Sequence, residues 1–442
     1  MIGRFPWEPF PPGEPAPTGA DPIAAAAYRG AVEGADAYRA VRIAVRRDAG
    51  VLRVGNRFVA DGRYREVAFV AVGHAASSMA LAVLHVFGDR LTQGFVAGPE
   101  APPASVPFRS VTIDDGWGGS SSAPQVVEAA REIAGGLHEN DLLLLLLSPG
   151  ALRGLLVPPS TSSPGAFARL LEGLHRAGAA GREVGEVARA YGEGGVGGRL
   201  LPGPLAAELQ LLVVERGDGA VSVGGGPTFP VTPEERTRAR ATLERAGLEA
   251  PGEPGPSPPG PTPGSHGPQH HRPVLVGSPE DALRGAADAV VDKGWSARLG
   301  MLGLRDRPSE AAGAFVARAE EVLAAELGAT GDRSKGIAVF ATTTLDLPEG
   351  VPEQAAAETF LATSLGALRR REMSLGLLRT AGPVPPSPSF AGAVIGAPGD
   401  PGADVRPGTA RRLAMRSGIT DVGLVAVALF PTPGRSRRRT DA

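Results

Sequence analysis

The residues that invite a chemical reading lie at turns. In VAFVAVGHAASSMA, Val67 to Ala80, an apolar run stops at Gly73 and passes through His74 straight into a helical pattern. Ligands of open α/β sheets gather at such places, because the strand's carboxyl end meets the free N–H groups of the next helix. His74 is therefore the candidate catalytic residue. A helix N-terminus opposes protonation of an imidazole, so a neutral His74 is expected near pH 7. It would donate one hydrogen bond to an anion and would be a poor charge clamp. The alternative is a turn histidine with no chemical task, and the local pattern leans that way.

Two glycine-rich stretches come next, GGVGG from Gly194 to Gly198 and GGG from Gly224 to Gly226. Consecutive backbone N–H groups in such loops can cradle phosphates, which makes Gly197, Gly198 and Gly226 candidates. Glycine is abundant here, 62 residues, so the signal is weak by itself. Arg199 is placed to hold an anion and Asp218 to accept a donor or a metal-bound water; either could instead simply fix its own loop. Asp114 and Asp115 read as turn residues, and His85 as a surface or packing residue of the first helix after the turn. His266, His270 and His271 fall in a Pro/Gly-rich stretch without a frame for a metal.

The elements that must position these groups alternate. Asp21 to Arg47 has apolar residues at helical spacing. VLRVGNRFVADG reads as a hairpin turning at Gly55-Asn56. Val67 to Val72 is a strand and Ala75 to about Phe87 a helix. QGFVAGP, DLLLLLLSPG and ELQLLVVERGDG read as strands; PQVVEAAREIAGGL, SPGAFARLLEGLHRAG and PEERTRARATLERAGL read as helices. Such alternation implies a parallel sheet covered by helices. Residues 249–272 are too rich in Pro and Gly for helix or strand and read as a flexible linker. Beyond it PVLVGS, EDALRGAADAVVDKG, SARLGMLGL, PSEAAGAFVARAEEVLAAELG and GIAVFATTTLDL repeat the alternation. The pattern weakens after Pro352 and closes with DVGLVAVALFP.

The expected organisation is a Pro-rich lead (1–20), an α/β domain (21–248), the linker (249–272), a second α/β domain (273–431) and a basic tail (432–442). Each domain is expected to hold a mainly parallel sheet, with a cleft between them. Composition narrows the function. The chain has 442 residues, 42% of them hydrophobic, no cysteine and a formal charge of -2. That length supports two cores, and the absence of cysteine rules out disulfides and thiolate metal sites. Near-neutral charge speaks against a general nucleic-acid binder, and the longest apolar run, Leu142 to Leu147, is far too short to span a membrane. The first residues lack a signal-peptide pattern, so a cytoplasmic protein is expected.

Several motifs together carry a resemblance. They are Gly73-His74-Ala75 with Met79-Ala80 behind it, Asp141-Leu142 before the leucine run, Ser148-Pro149-Gly150, and Arg153-Gly154-Leu155-Leu156 with Pro158. Gly178-Ala179, Gly197-Gly198-Arg199-Leu200, Gly217-Asp218, Gly226-Pro227-Thr228 and Ala391-Gly392-Ala393 continue the series. In this order, from about Asp21 to Phe430, the chain resembles the MOFRL-type glycerate 2-kinases, which phosphorylate D-glycerate from ATP with a divalent cation. The resemblance implies ATP and Mg²⁺ as cofactors and a small hydroxy acid as substrate. It also implies substrate- or nucleotide-binding roles for Gly73, Ser148, Gly150, Gly197, Gly198, Arg199, Asp218, Gly226 and Thr228.

The departures are chemical. His74 stands where the family has a lysine, Pro352 where it has a catalytic arginine, and Ala381 where its Thr-Asp-Gly carries an acid. Phosphoryl transfer depends on cations that neutralise the transferring group, and losing one such clamp typically costs about a hundredfold or more in rate. The reading is a family member with phosphotransfer lost or strongly reduced. The alternatives are an active kinase with a rebuilt site using His74, Arg199 and Asp218, and a scaffold or regulatory protein whose cleft is no longer used. A homo-oligomer is compatible with all three.

Overall fold

The computed structural model describes residues 21–113, 119–202, 204–215, 219–220, 222–254, 262–263, 273–328, 336–345, 353–367, 374–379, 392–396, 411–412 and 424–431. The chain forms two compact units, one of residues 36–278 with 419–421, the other of residues 1–35, 279–418 and 422–442.

The region 21–47 is a helix α1 (Asp21–Gly34), a second helix α2 (Ala37–Ala44) and the start of a strand, where the periodicity suggested one helix. The break has a local cause: Asp36 caps α2, its carboxylate accepting the N–H groups of Tyr38 and Arg39. Strands β1 (Val45–Asp48), β2 (Val51–Val54) and β3 (Arg57–Ala60) then form an antiparallel sheet, with the expected turn at Gly55-Asn56.

The first unit is built on β4 (Val67–Val72), β5 (Leu91–Gly98), β6 (Arg109–Thr112), β7 (Leu142–Leu147), β8 (Glu208–Val214) and β9 (Val274–Gly277). They pair in the order β9-β8-β7-β4-β5-β6, every pair parallel. Counted along the chain this is the doubly wound order 3-2-1-4-5-6, whose topological switch point lies between β4 and β7. Both of those strands are buried on both faces, which is why they read as unbroken apolar runs. Helices α3 (Ala76–Phe87), α4 (Ala123–Gly135), α5 (Ala151–Leu155), α6 (Pro164–Arg176), α7 (Gly181–Tyr191) and α8 (Pro233–Arg245) complete it.

The expected domain boundary differs in two places. Strand β9, placed by its sequence position in the second domain, completes the first sheet beside β8. Residues 249–253 are fastened to the first unit: the Thr161 hydroxyl donates to Pro251 C=O (2.7 Å) and Arg240 pairs with Glu253 (2.9 Å). Thr262–Pro263, also within the presumed linker, pairs in parallel with Pro204–Leu205.

In the second unit α1 packs on α9 (Pro279–Val291) so closely that a Cβ on Gly30 would stand 2.1 Å from Gly285 O. Its other elements are β10 (Ser296–Asp306), α10 (Pro308–Gly328), β11 (Gly336–Leu345), α11 (Glu353–Ala367), β12 (Ser374–Arg379), β13 (Gly392–Gly396) and β14 (Leu424–Pro431). The α/β class holds, but this sheet is mixed rather than mainly parallel. Strand β10 runs parallel to β11, while β14 enters between β11 and β12 antiparallel to both, and β13 is antiparallel to β12. Antiparallel neighbours need no helical crossover, which accounts for the weak alternation after Pro352.

Candidate functional site

At the switch point the ends of β4 and β7 are level, Val72 beside Leu147, and the turns that follow interlock. Gly73 has φ +118°, and a Cβ there would lie 2.4 Å from Ser148 Oγ and 2.5 Å from Ser148 O. Only glycine permits that approach. Ser148 is fully buried, and its Oγ accepts the Ala75 N–H at 3.0 Å. The His74 N–H donates to Pro149 C=O (2.8 Å) and the Ala76 N–H to Gly73 C=O (3.1 Å). The amides of His74, Ala75 and Ala76 are thus engaged within the protein. The half-buried His74 ring packs against Gly150, which has φ +85° at the start of α5.

The two glycine loops clasp each other. Gly197 N–H donates to Gly225 C=O and Gly198 N–H to Gly226 C=O, both 2.9 Å, and Leu200 N–H donates to Pro227 C=O (3.1 Å). Gly197, Gly198, Gly224, Gly225 and Gly226 all have positive φ, so glycine here meets a conformational need. Two arginines fasten the knot. Arg199 Nη1 donates to the carbonyls of Arg189 (3.2 Å) and Val196 (3.3 Å). Burial, and then the positive charge of Arg236, pull its pKa below the usual arginine range. Buried Arg189 pairs with Glu235 at 2.6 Å and donates to Phe229 C=O at 2.8 Å. A Cβ on Gly226 would stand 2.7 Å from its Nε.

Thr228 is buried, and its hydroxyl has no hydrogen-bond partner among the described residues. Asp218, Asp114, Asp115, Pro352, Ala381 and the three linker histidines lie outside the described residues. His85 is exposed, with Nδ1 2.7 Å from the Tyr38 hydroxyl, a packing role. The structure therefore brings Gly73, His74, Ser148 and Gly150 together at the switch point, and Gly197, Gly198, Arg199 and Gly226 together in the loop knot.

Sequence reasoning missed Arg189 and the helix that carries it. The signal was present: Val184, Val187, Ala188 and Tyr191 are apolar at i, i+3, i+4 and i+7, and all are buried. It also passed over the cation inventory. The chain has two lysines, Lys293 and Lys335, so the unit that holds the switch point has none between residues 36 and 278. Among the described residues no group of three His, Asp or Glu side chains is placed to hold a metal ion. Nor is any helix among them long and apolar enough to cross a membrane.

The doubly wound parallel sheet defines the class: an open-sheet α/β protein whose switch point lies between β4 and β7. The chain belongs to the family described as Domain of unknown function (DUF4147), whose model matches residues 23–253. It has the fold of a glycerate kinase from Thermotoga maritima, at 20% identity and TM-score 0.67, over 92% of this chain and 99% of that one. It is similar also to the PH0495 protein from Pyrococcus horikoshii, at 16% identity and TM-score 0.65, over 94% and 99%. No curated protein matches the chain. The two-unit α/β fold implied by the sequence resemblance is the fold observed.

Proposed function

We propose that this protein is a glycerate-kinase-like protein in which ATP-dependent phosphorylation of D-glycerate is lost or strongly reduced, and in which the switch-point crevice keeps affinity for a small hydroxy-acid anion. One observation carries the reading: the Gly197 and Gly198 amides and the Arg199 guanidinium, to which the resemblance gives binding roles, are bonded to the protein itself, as are two amides of the switch-point turn. The N–H groups of His74, Ala75, Gly197 and Gly198 and the Arg199 guanidinium are all engaged.

A nucleotide triphosphate with Mg²⁺ does not fit these groups. Its charge calls for several cations or a run of free amides, and a histidine stands where the resemblance has a lysine. A singly charged hydroxy acid demands far less. Two hydrogen bonds from neutral groups and a close-fitting crevice can hold it at modest affinity.

The test is to incubate the purified full-length chain with Mg²⁺, ATP and D-glycerate, alongside a thermal-shift panel of nucleotides and hydroxy acids. No turnover, with melting raised by a hydroxy acid and not by ATP, is expected. Turnover at ordinary kinase rates, about 1–100 per second, would overturn the loss of catalysis. A panel in which no hydroxy acid raises the melting temperature would overturn the binding.

A further inference from the structure

The first unit carries two surfaces of opposite character. The outward face of the three-stranded sheet presents Arg46, Arg53 and Phe58. Phe58 is 68% exposed, the most exposed of the large apolar side chains among the described residues. Arg53 lies over its ring, 5.6 Å from the centroid. The register sets Arg46 directly opposite Arg53 on one side and Phe58 opposite Arg53 on the other. Arg53 Nε also donates to Gly55 C=O (2.8 Å), but Arg46 opposite it is a like-charge neighbour, which disfavours a sheet. Arg46 has no ion pair or hydrogen-bond partner among the described residues, and Asp48, opposite Val51, is the one acid on the face.

The second surface is a groove of about 720 Å³ along α4, with Pro124, Val127 and Val157 as apolar lining and Glu128, Glu132 and Glu193 as acids. Arg131 also lines it, but its guanidinium donates to the carbonyls of Leu200 (3.1 Å) and Arg199 (2.8 Å). Glu132 pairs with Arg109, and Glu193 accepts from Ser160, whereas Glu128 is unpartnered among the described residues. An exposed aromatic flanked by arginines matches an apolar groove edged by glutamates in both charge and polarity, and aromatic and arginine side chains are the ones that most often anchor interfaces.

We propose that a second copy of this chain is the occupant: Phe58 of one protomer enters the α4 groove of another, with Arg46 and Arg53 set against Glu128. If the geometry closes with twofold symmetry the product is a dimer with two such contacts; otherwise it is a closed ring or an open chain.

The test is light scattering of the full-length protein over a concentration series at low and high salt. Concentration-dependent association that weakens with salt is expected. Phe58→Ser alters an exposed side chain and should weaken association about tenfold or more. Arg46→Glu with Arg53→Glu, and separately Glu128→Arg, should each abolish it, and a mixture of those two variants should associate again. A monomer at every concentration would overturn the proposal. So would association that Phe58→Ser leaves unchanged, or variants of circular dichroism and melting equal to the parent that fail to recover on mixing. Binding instead to an unrelated acidic peptide, with no self-association, would likewise overturn it.

Discussion

The His74 ring fills the space beside Gly150: a Cβ at position 150 would lie 2.5 Å from both Cδ2 and Nε2 of that ring. The residue standing where the resemblance has a lysine is thus a packing element of the crossing between β4 and α5. Gly150→Ala should destabilise the protein by about 2 kcal/mol or more, from the clash and from φ +85° together. Adding His74→Ala should recover the clash component and leave the backbone component, so urea unfolding of the two single variants and the double will give a non-additive cycle. His74→Ala alone should leave hydroxy-acid affinity within a few-fold of the parent, since a single neutral hydrogen bond is worth about 1 kcal/mol.

Ser148 supplies a hydroxyl at a fully buried position, and the Ala75 N–H depends on it. Ser148→Ala leaves that amide without an acceptor, at a cost of about 1–3 kcal/mol. Equilibrium unfolding should show the loss, and faster amide exchange at Ala75 should localise it. Unchanged exchange there would mean that Ser148 is not the acceptor.

Arg189 holds the loop knot through Glu235 and the Phe229 carbonyl. Arg189→Met keeps much of the volume but takes the cation from the Glu235 carboxylate, which retains the Thr232 N–H (2.8 Å), and removal of one partner from a buried pair costs about 3–5 kcal/mol. Glu235 is one-fifth exposed, so the lower end of that range is expected. Hydrogen exchange should rise in both glycine loops together, because each supplies the other's hydrogen-bond partners.

Asp61 receives Arg47 through two bonds (2.8 and 2.7 Å) and Arg90 through a third (2.9 Å), tying the hairpin sheet to the segment after α3. The hydrogen bonds from Arg47 above all hold its pKa below the usual carboxylate value. A depressed folded-state pKa contributes stability that is complete above the unfolded pKa of about 4 and is lost as pH falls through the folded one. The pair is partly solvated, so the contribution is about 1 kcal/mol. Asp61→Asn should reduce stability at pH 7 by that amount and flatten the decline of stability below about pH 4. An unaltered acid limb would show that Asp61 carries no such linkage.

Gly30 and Gly285 bring α1 and α9 into backbone contact. Gly285→Val has no room and should cost more than about 3 kcal/mol. The loss should appear in exchange protection of α1, α9 and the β10–β14 sheet, with β4 and β7 in the other unit less affected. Equal loss in both units would mean that they unfold together.

Much of this architecture was legible because it is written in local periodicity. The unbroken apolar runs of β4 and β7, the 3.6-residue spacing of α4 and α8, and the turn at Gly55-Asn56 each follow from what a short segment must bury or bend. The α7 helix carries the same signal in Val184, Val187, Ala188 and Tyr191, on one face at helical spacing. The order β9-β8-β7-β4-β5-β6 was not legible. It depends on β9 returning across a proline-rich stretch to an edge that no local pattern marks.

The same division holds for the site. Sequence by itself determined that a strand-to-helix turn carries a histidine, that two glycine loops follow, and that residues 36–278 lack lysine; these are matters of residue identity and spacing. Only the tertiary structure decided what those groups bond to. The Gly197 and Gly198 amides, read as part of a phosphate cradle, meet carbonyls of a loop some thirty residues away, and the His74 ring meets Gly150 on another strand's exit. A hydrogen-bond donor has the same chemistry whether it faces a ligand or its own protein, and which it faces is set by partners distant in the chain.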